Sequence, residues 1–286
     1  MEFGSFVIKA IGLGLFLPGL IALFVPMLLY RAARLRPSLP ALAAPVALAG
    51  GFCAACWSLE LVPIRPTRTG AEWLPALSLI AIPAGWLYSN ARLPQLTFFV
   101  LATTAFASAV PMIPGYVTVR LGHAAWTFVL GECILVLALV LQRAADDFPA
   151  PLFTALLAAC AIVQSAILML SGSASLAQMS GAEGAALAGI AVAPRLFVRE
   201  SDSKSIRGVI PGFAVLSTGL LSCNYHDSPG GWSQAYNFVA LLAPLGLSAA
   251  ALLPPKRFPL RLALAIGLTA ALLGFASYLA YRSSSL

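Results

Sequence analysis

Apolar runs of about twenty residues succeed one another almost without a break from Phe6 to Tyr281, each closed by a short polar or Pro/Gly-containing connection. A helix rising about 1.5 Å per residue needs a run of that length to cross roughly 30 Å of hydrocarbon. Windows of this kind predict ten helices, over 6–30, 40–63, 73–89, 96–114, 124–142, 151–171, 179–197, 208–224, 238–253 and 260–281. Pro18, Pro26, Pro45, Pro83, Pro111 and Pro244 fall inside them, which membrane helices tolerate because neighbouring groups satisfy the backbone that a proline frees. The pattern therefore predicts an all-α, polytopic transmembrane bundle of about ten spans, a single integral-membrane domain over residues 1–286. The longest connections, 198–207 and 225–237, fall far short of the roughly 40 residues at which an independent domain begins to fold.

Positive charge sorts onto alternate connections. After the first, third, fifth, seventh and ninth stretches stand Arg31, Arg34 and Arg36; Arg92; Arg143; Arg195, Arg199, Lys204 and Arg207; and Lys256, Arg257 and Arg261. The other side holds only Arg65, Arg68, Arg120 and Arg282, while Lys9 lies within the first stretch. Twelve against four predicts the basic side in the cytoplasm and both termini outside, in a plasma (inner) membrane of prokaryotic type. Trp73, Tyr116, Trp126, Trp232, Tyr236, Tyr278 and Tyr281 then fall near the outer boundary, as interfacial aromatics do. The first stretch lacks a basic leader and arginines follow it at once, so it is expected to stay as a span rather than be cleaved as a signal peptide.

Composition narrows the class. Hydrophobic residues make up 60% and charged residues 9%, against about 25% charged in soluble domains, so the bilayer is the expected solvent. The net charge of +7 is spread through short loops and not gathered on one face, which excludes a nucleic-acid surface. Five cysteines are an odd number, with four inside apolar runs, and imply no disulfide framework. Cys53 and Cys56 share a helical face with Glu60; a Cys-x-x-Cys can serve thiol–quinone exchange, with Cys223 as partner, but small neighbours such as Gly50, Gly51, Ala54 and Ala55 favour close packing.

Four ionisable residues fall within predicted spans: Lys9, Glu60, Glu132 and Glu183, all in the outer half. Such groups face the protein interior, water or one another, because a central charge costs about 2.5–3.5 kcal/mol on insertion scales. One reading is a polar cavity open to the outside, with Lys9 as counter-ion to a carboxylate. The plainer reading is that Lys9, Glu60 and Glu183 snorkel to the interface. Glu132 is nine residues beyond His123, about 13 Å of rise, so it is expected to face inward and act as a proton-coupling group. Ser180, Gly181, Gly184, Ala185 and Gly189 predict a small-residue contact face around Glu183, for another helix or a membrane-protein partner. The same outer side gathers Arg65, Arg68, Arg120, His123, His226, Asp227 and Glu72, candidates for an anionic or small-molecule ligand. Residues 224–237 form a turn-rich, aromatic segment that reads as a binding loop or as a simple interfacial turn. No His or Cys spacing suggests a metal site, no cofactor motif occurs, and Asp146–Asp147 reads as a solvated helix start.

These features support a transporter or permease-like protein with a polar cavity towards the outer face. The alternatives are a membrane-embedded enzyme on a lipid-linked or redox substrate, and a non-catalytic subunit or assembly factor of a membrane complex. Ten spans permit an inverted repeat, but residues 1–143 and 144–286 share no matching motif.

Overall fold

The computed structural model describes residues 11–32, 39–62, 70–90, 94–113, 122–197, 207–227, 234–253 and 258–284. Among them the only regular structure is helix. A π-helical turn, Gly12–Phe16, leads into α1 (Leu17–Ala32). There follow α2 (Leu39–Ser58), α3 (Gly70–Asn90), α4 (Pro94–Met112), α5 (His123–Ala145) and α6 (Ala150–Leu170). The chain continues with α7 (Ala174–Phe197), α8 (Val209–Asp227), α9 (Ala235–Leu242) extended by a 3-10 segment (Ala243–Leu252), and α10 (Phe258–Ser284). The π turn has a local cause: Pro18 has no N–H, and the Leu17 N–H reaches back five residues to the Gly12 carbonyl.

Among the described residues seven helices are long and apolar enough to cross a membrane: Gly12–Ala32, Leu39–Ser58, Gln95–Met112, His123–Ala145, Ala150–Leu170, Ala174–Ala193 and Phe258–Ser284. The chain is thus a helical bundle with several candidate membrane-spanning helices. Of the other units, α9 is short, and α3 and α8 have the length but are more polar. For α8 the reason is its position. Every residue from Gly208 to Asn224 is buried, because α2, α3, α4, α5, α6, α7 and α9 surround it. A helix encased in protein can carry Ser217, Thr218, Ser222 and Asn224 without presenting them to lipid. Its approach to α3 is close: a Cβ on Gly85 would collide with the Gly208 carbonyl, so a larger residue would part the two helices.

The two ends of the bundle are distinct. At one end Asp146 pairs with Arg207 at 2.5 Å, Asp147 pairs with Arg261, and the Arg261 Nε–H donates to the Ala250 carbonyl at 2.7 Å. These contacts join the α5–α6, α7–α8 and α9–α10 connections, with Tyr88 at the end of α3 donating to Gln142 Oε1 at 2.7 Å nearby. Of the solvated pair expected at Asp146–Asp147, Asp146 is 56% exposed, and the expectation is corrected for Asp147. Asp147 is only 19% exposed and both aspartates are engaged by arginines that are distant in sequence.

At the opposite end the α6–α7 turn meets the end of α8 and the start of α9. Asn224 Oδ1 accepts from Ser171 Oγ at 3.0 Å and Ser173 Oγ at 2.6 Å, while its Nδ2 donates to Asn237 Oδ1 at 2.9 Å and Tyr236 Oη at 3.3 Å. All four hydrogen-bonding positions of that amide are used, so the junction is fixed.

Two helices stop by the same device. The Gly172 N–H donates to Met169 O and the Ser173 N–H to Leu168 O, with Gly172 at φ 88°. The Glu60 N–H donates to Trp57 O and the Leu61 N–H to Cys56 O, with Glu60 at φ 57°. Both are Schellman caps, and Glu60 stands where glycine is usual. Helix α2 thus ends at Ser58, and Glu60 lies beyond it on an exposed turn. This corrects the expectation that Glu60 sits within a span.

Candidate functional site

One cluster of polar side chains lies in the interior. Glu183 is the tenth residue of α7, about 13 Å of rise from its start, and is 0% exposed. The small residues around it explain this burial. Gly184 lies against Ile162 and the Ala158 carbonyl of α6, and Gly189 against Gly19 of α1, so α7 is packed between these helices. The small-residue face expected from the sequence is therefore covered by the chain's own helices. Ser180 and Ser165 tie the α6–α7 contact further, donating to the Ala161 and Ala177 carbonyls at 2.8 and 2.6 Å.

Around the carboxyl, Ser217 of α8 lies 3.4 Å from Glu183 Oε1 and 3.2 Å from Gln164 Oε1 of α6. The Gln164 amide donates to the Ala240 carbonyl of α9 at 3.3 Å. Four helices thus converge on this point. The Ser217 hydroxyl has one proton for two acceptors. When that proton goes to Gln164, the Ser217–Glu183 contact is a hydrogen bond only if the carboxyl supplies a proton. Glu183 Oε2 has no hydrogen-bond partner among the described residues, and no arginine, lysine or histidine forms an ion pair with it there. The arrangement suits a carboxyl that carries a proton or meets a small cation, because an uncompensated buried charge costs several kcal/mol.

Glu132 is placed otherwise than expected. It is half-buried on the outward side of α5, with Phe128 59% exposed one turn before it and Val136 45% exposed one turn after. It does not join Glu183. A mid-helix carboxyl cannot snorkel easily, but depth alone does not determine which way the residue faces. The large apolar side chains one turn to either side were the available signal, since bulky residues face lipid and small ones face helices.

The remaining candidates divide. Lys9, Arg65, Arg68 and Arg120 lie outside the described residues, as does the side chain of Asp227. His123 opens α5, with Nδ1 3.3 Å from Thr127 Oγ1. His226, near the end of α8, meets Trp126 and Tyr225 edge-on at 5.2 and 5.3 Å. Both histidines are thus at the end of the bundle where α5 begins. No group of three or more His, Cys, Asp or Glu able to hold a metal occurs among the described residues. Cys53 packs against the Pro75 carbonyl and Ser78 Oγ of α3, both at 3.4 Å, and Cys56 is buried beside it.

A narrow crevice of about 20 Å³ between α5, α8 and α9 was not foreseen. Thr218 Oγ1, Ser222 Oγ and Asn237 Nδ2 line it without partners among the described residues. That is room for about one water. Two larger grooves, of about 360 and 340 Å³, are walled mostly by apolar side chains, one beside α6 and α7 near Gly181 and one between α6 and α10. Compared with protein-family models, with curated proteins and with solved structures, the chain matches none.

Proposed function

We propose that the protein is a ten-span permease-like transporter of the plasma (inner) membrane, with both termini outside, in which Glu183 is the coupling carboxyl. The observation that carries this reading is a fully buried glutamate, mid-way along a membrane-type helix, with an unpartnered oxygen and only uncharged hydrogen-bonding neighbours. Such groups are rare in membrane helices and mark proton or ion pathways. Central, encased α8 supplies Ser217 at the site, and its Thr218 and Ser222 line the crevice against α5 and α9. Arg65, Arg68, Arg120, His123, His226 and Asp227 on the outer side would receive an anionic or small polar solute.

The test is a thermal-shift screen of the purified protein against small anions and polar solutes at two pH values, since a ligand stabilises what it binds. A solute whose shift depends on pH should lose that dependence in Glu183→Gln while still binding. A ligand response with identical pH dependence in the variant would remove Glu183 from the coupling role.

A second reading, a subunit of a larger membrane complex, is supported by Glu132. An outward-facing carboxyl at mid-helix depth is costly in lipid, by about 2.5–3.5 kcal/mol, and is explained if another protein covers it.

A further inference from the structure

Around α5 the exposed positions form one arc. Ala124, Ala125, Phe128, Val129, Val136, Leu139 and Arg143 are exposed, and at 100° per residue Glu132 falls at the centre of that arc. The opposite face, through Leu130, Ile134, Ala138 and Leu141, is buried in the bundle, and Gly131 abuts Phe106 of α4. Glu132 is the tenth residue of α5, about 13 Å of rise from the start of the helix and about 20 Å from its end, beyond the reach of a two-methylene side chain. Arg143, eleven residues further on the same arc, is about 16 Å away. Among the described residues no hydrogen bond or ion pair reaches the Glu132 carboxyl.

Lipid offers this group neither a donor nor a cation and the described residues pair it with none, so the chemistry that fits is a basic side chain on a further helix. A second copy meeting it through α5 about a two-fold axis does not supply it. Two copies in the same membrane orientation, related by a two-fold axis along the membrane normal and meeting through α5, would set Glu132 against Glu132. We propose that the outward stripe of α5 from Phe128 to Leu139 is the docking surface for a membrane-spanning helix of another protein, one that carries a lysine or arginine at mid-bilayer depth opposite Glu132. The flanking apolar residues would pack along that helix, and the ion pair would set its depth and orientation. This proposal stands apart from the transport reading and does not depend on Glu183.

The experiment uses the full chain, labelled and reconstituted in phosphatidylcholine vesicles, with synthetic polyleucine single-span peptides as probes and energy transfer as the readout. A peptide with one central lysine should associate about threefold to tenfold more tightly than an all-leucine peptide, the range given by polar contacts between membrane helices. Glu132→Leu, which suits a lipid-facing position, should abolish that difference. Glu132→Lys should transfer the preference to a peptide with a central glutamate, and Glu132→Leu alone carries the test if that variant fails to fold. Equal association of the lysine and all-leucine peptides with the native chain would overturn the proposal. So would full recovery of lysine-peptide binding when glutamate is moved to the exposed face of α10, as Glu132→Leu with Leu268→Glu, because charge alone would then suffice. Efficient Val136→Cys cross-linking between copies in the vesicles would assign the stripe to a second copy instead.

Discussion

Glu132 and Glu183 are each the tenth residue of a helix that starts from the same end of the bundle, yet one faces outward and the other is 0% exposed. Trp126 near the start of α5 meets His226, and Ser173 just before α7 donates to Asn224, so both helices begin beside the end of α8. Two carboxyls at one depth therefore occupy opposite environments, and substitution should separate them. Glu132→Leu in the isolated protein should leave thermal stability unchanged or raise it, because it replaces a half-buried, outward-facing polar group with an apolar one in detergent or lipid. Glu183→Leu should destabilise by about 1–3 kcal/mol, since it removes one of the two partners of Ser217 and forces a branched side chain between packed helices. Thermal unfolding of the two variants checks this, and similar losses in both would contradict the opposed placements.

The helix-end caps give a second contrast. Glu60 at φ 57° holds a left-handed conformation that costs an L-residue roughly 1 kcal/mol or more, while Gly172 at φ 88° holds the equivalent position without that strain. Glu60→Gly should therefore stabilise the protein by about 0.5–1 kcal/mol, and Gly172→Ala should destabilise it by about 1 kcal/mol. The opposite sign in both variants would mean that the caps do not govern how α2 and α6 end.

The ion pairs at the other end differ in burial, and their energies should follow. Arg261 is 9% exposed and Asp147 19%, whereas Arg207 and Asp146 are 26% and 56% exposed. A double-mutant cycle on Asp147 and Arg261 should give a coupling of about 1–3 kcal/mol. The same cycle on Asp146 and Arg207 should give at most about 1 kcal/mol. Equal couplings would contradict the burial difference.

What was legible in the sequence is the helical pattern. Each of the ten apolar windows overlaps a helical unit, because twenty-residue apolar runs bounded by Pro, Gly and charge leave helix as the way to satisfy the backbone. The small-residue surface of α7 was legible as a contact face, since Gly184 and Gly189 admit neighbouring helices. Which side of a helix meets protein was less legible. Glu132 was expected inside from depth alone, and depth says nothing of azimuth. Glu60 was expected within a span because apolar Leu61 and Val62 follow it, but the backbone turns at Glu60 itself. Ser217 and Gln164 were missed, and Asn224 was read as the start of a loop although it is a buried residue of α8, because single polar residues in apolar runs acquire meaning only when several helices bring them together.

Topology carries the last prediction. The ion pairs Asp146–Arg207 and Asp147–Arg261 gather the α5–α6, α7–α8 and α9–α10 connections at one end, and the Asn224 junction gathers the α6–α7 turn and the α8–α9 connection at the other. That is the alternation which the twelve-to-four division of lysine and arginine requires, and the basic end is expected in the cytoplasm. In a cysteine-free background, single cysteines at positions 34 and 204 should react with a membrane-impermeant thiol reagent only after the cytoplasmic side is opened. A cysteine at position 230, in the α8–α9 connection, should react in intact cells. Reaction of position 230 from the cytoplasmic side alone would reverse the orientation. It would also place His123, His226 and the connections that carry Arg65, Arg68 and Arg120 on the inner face, so the solute proposed to meet them would have to approach from the cytoplasm.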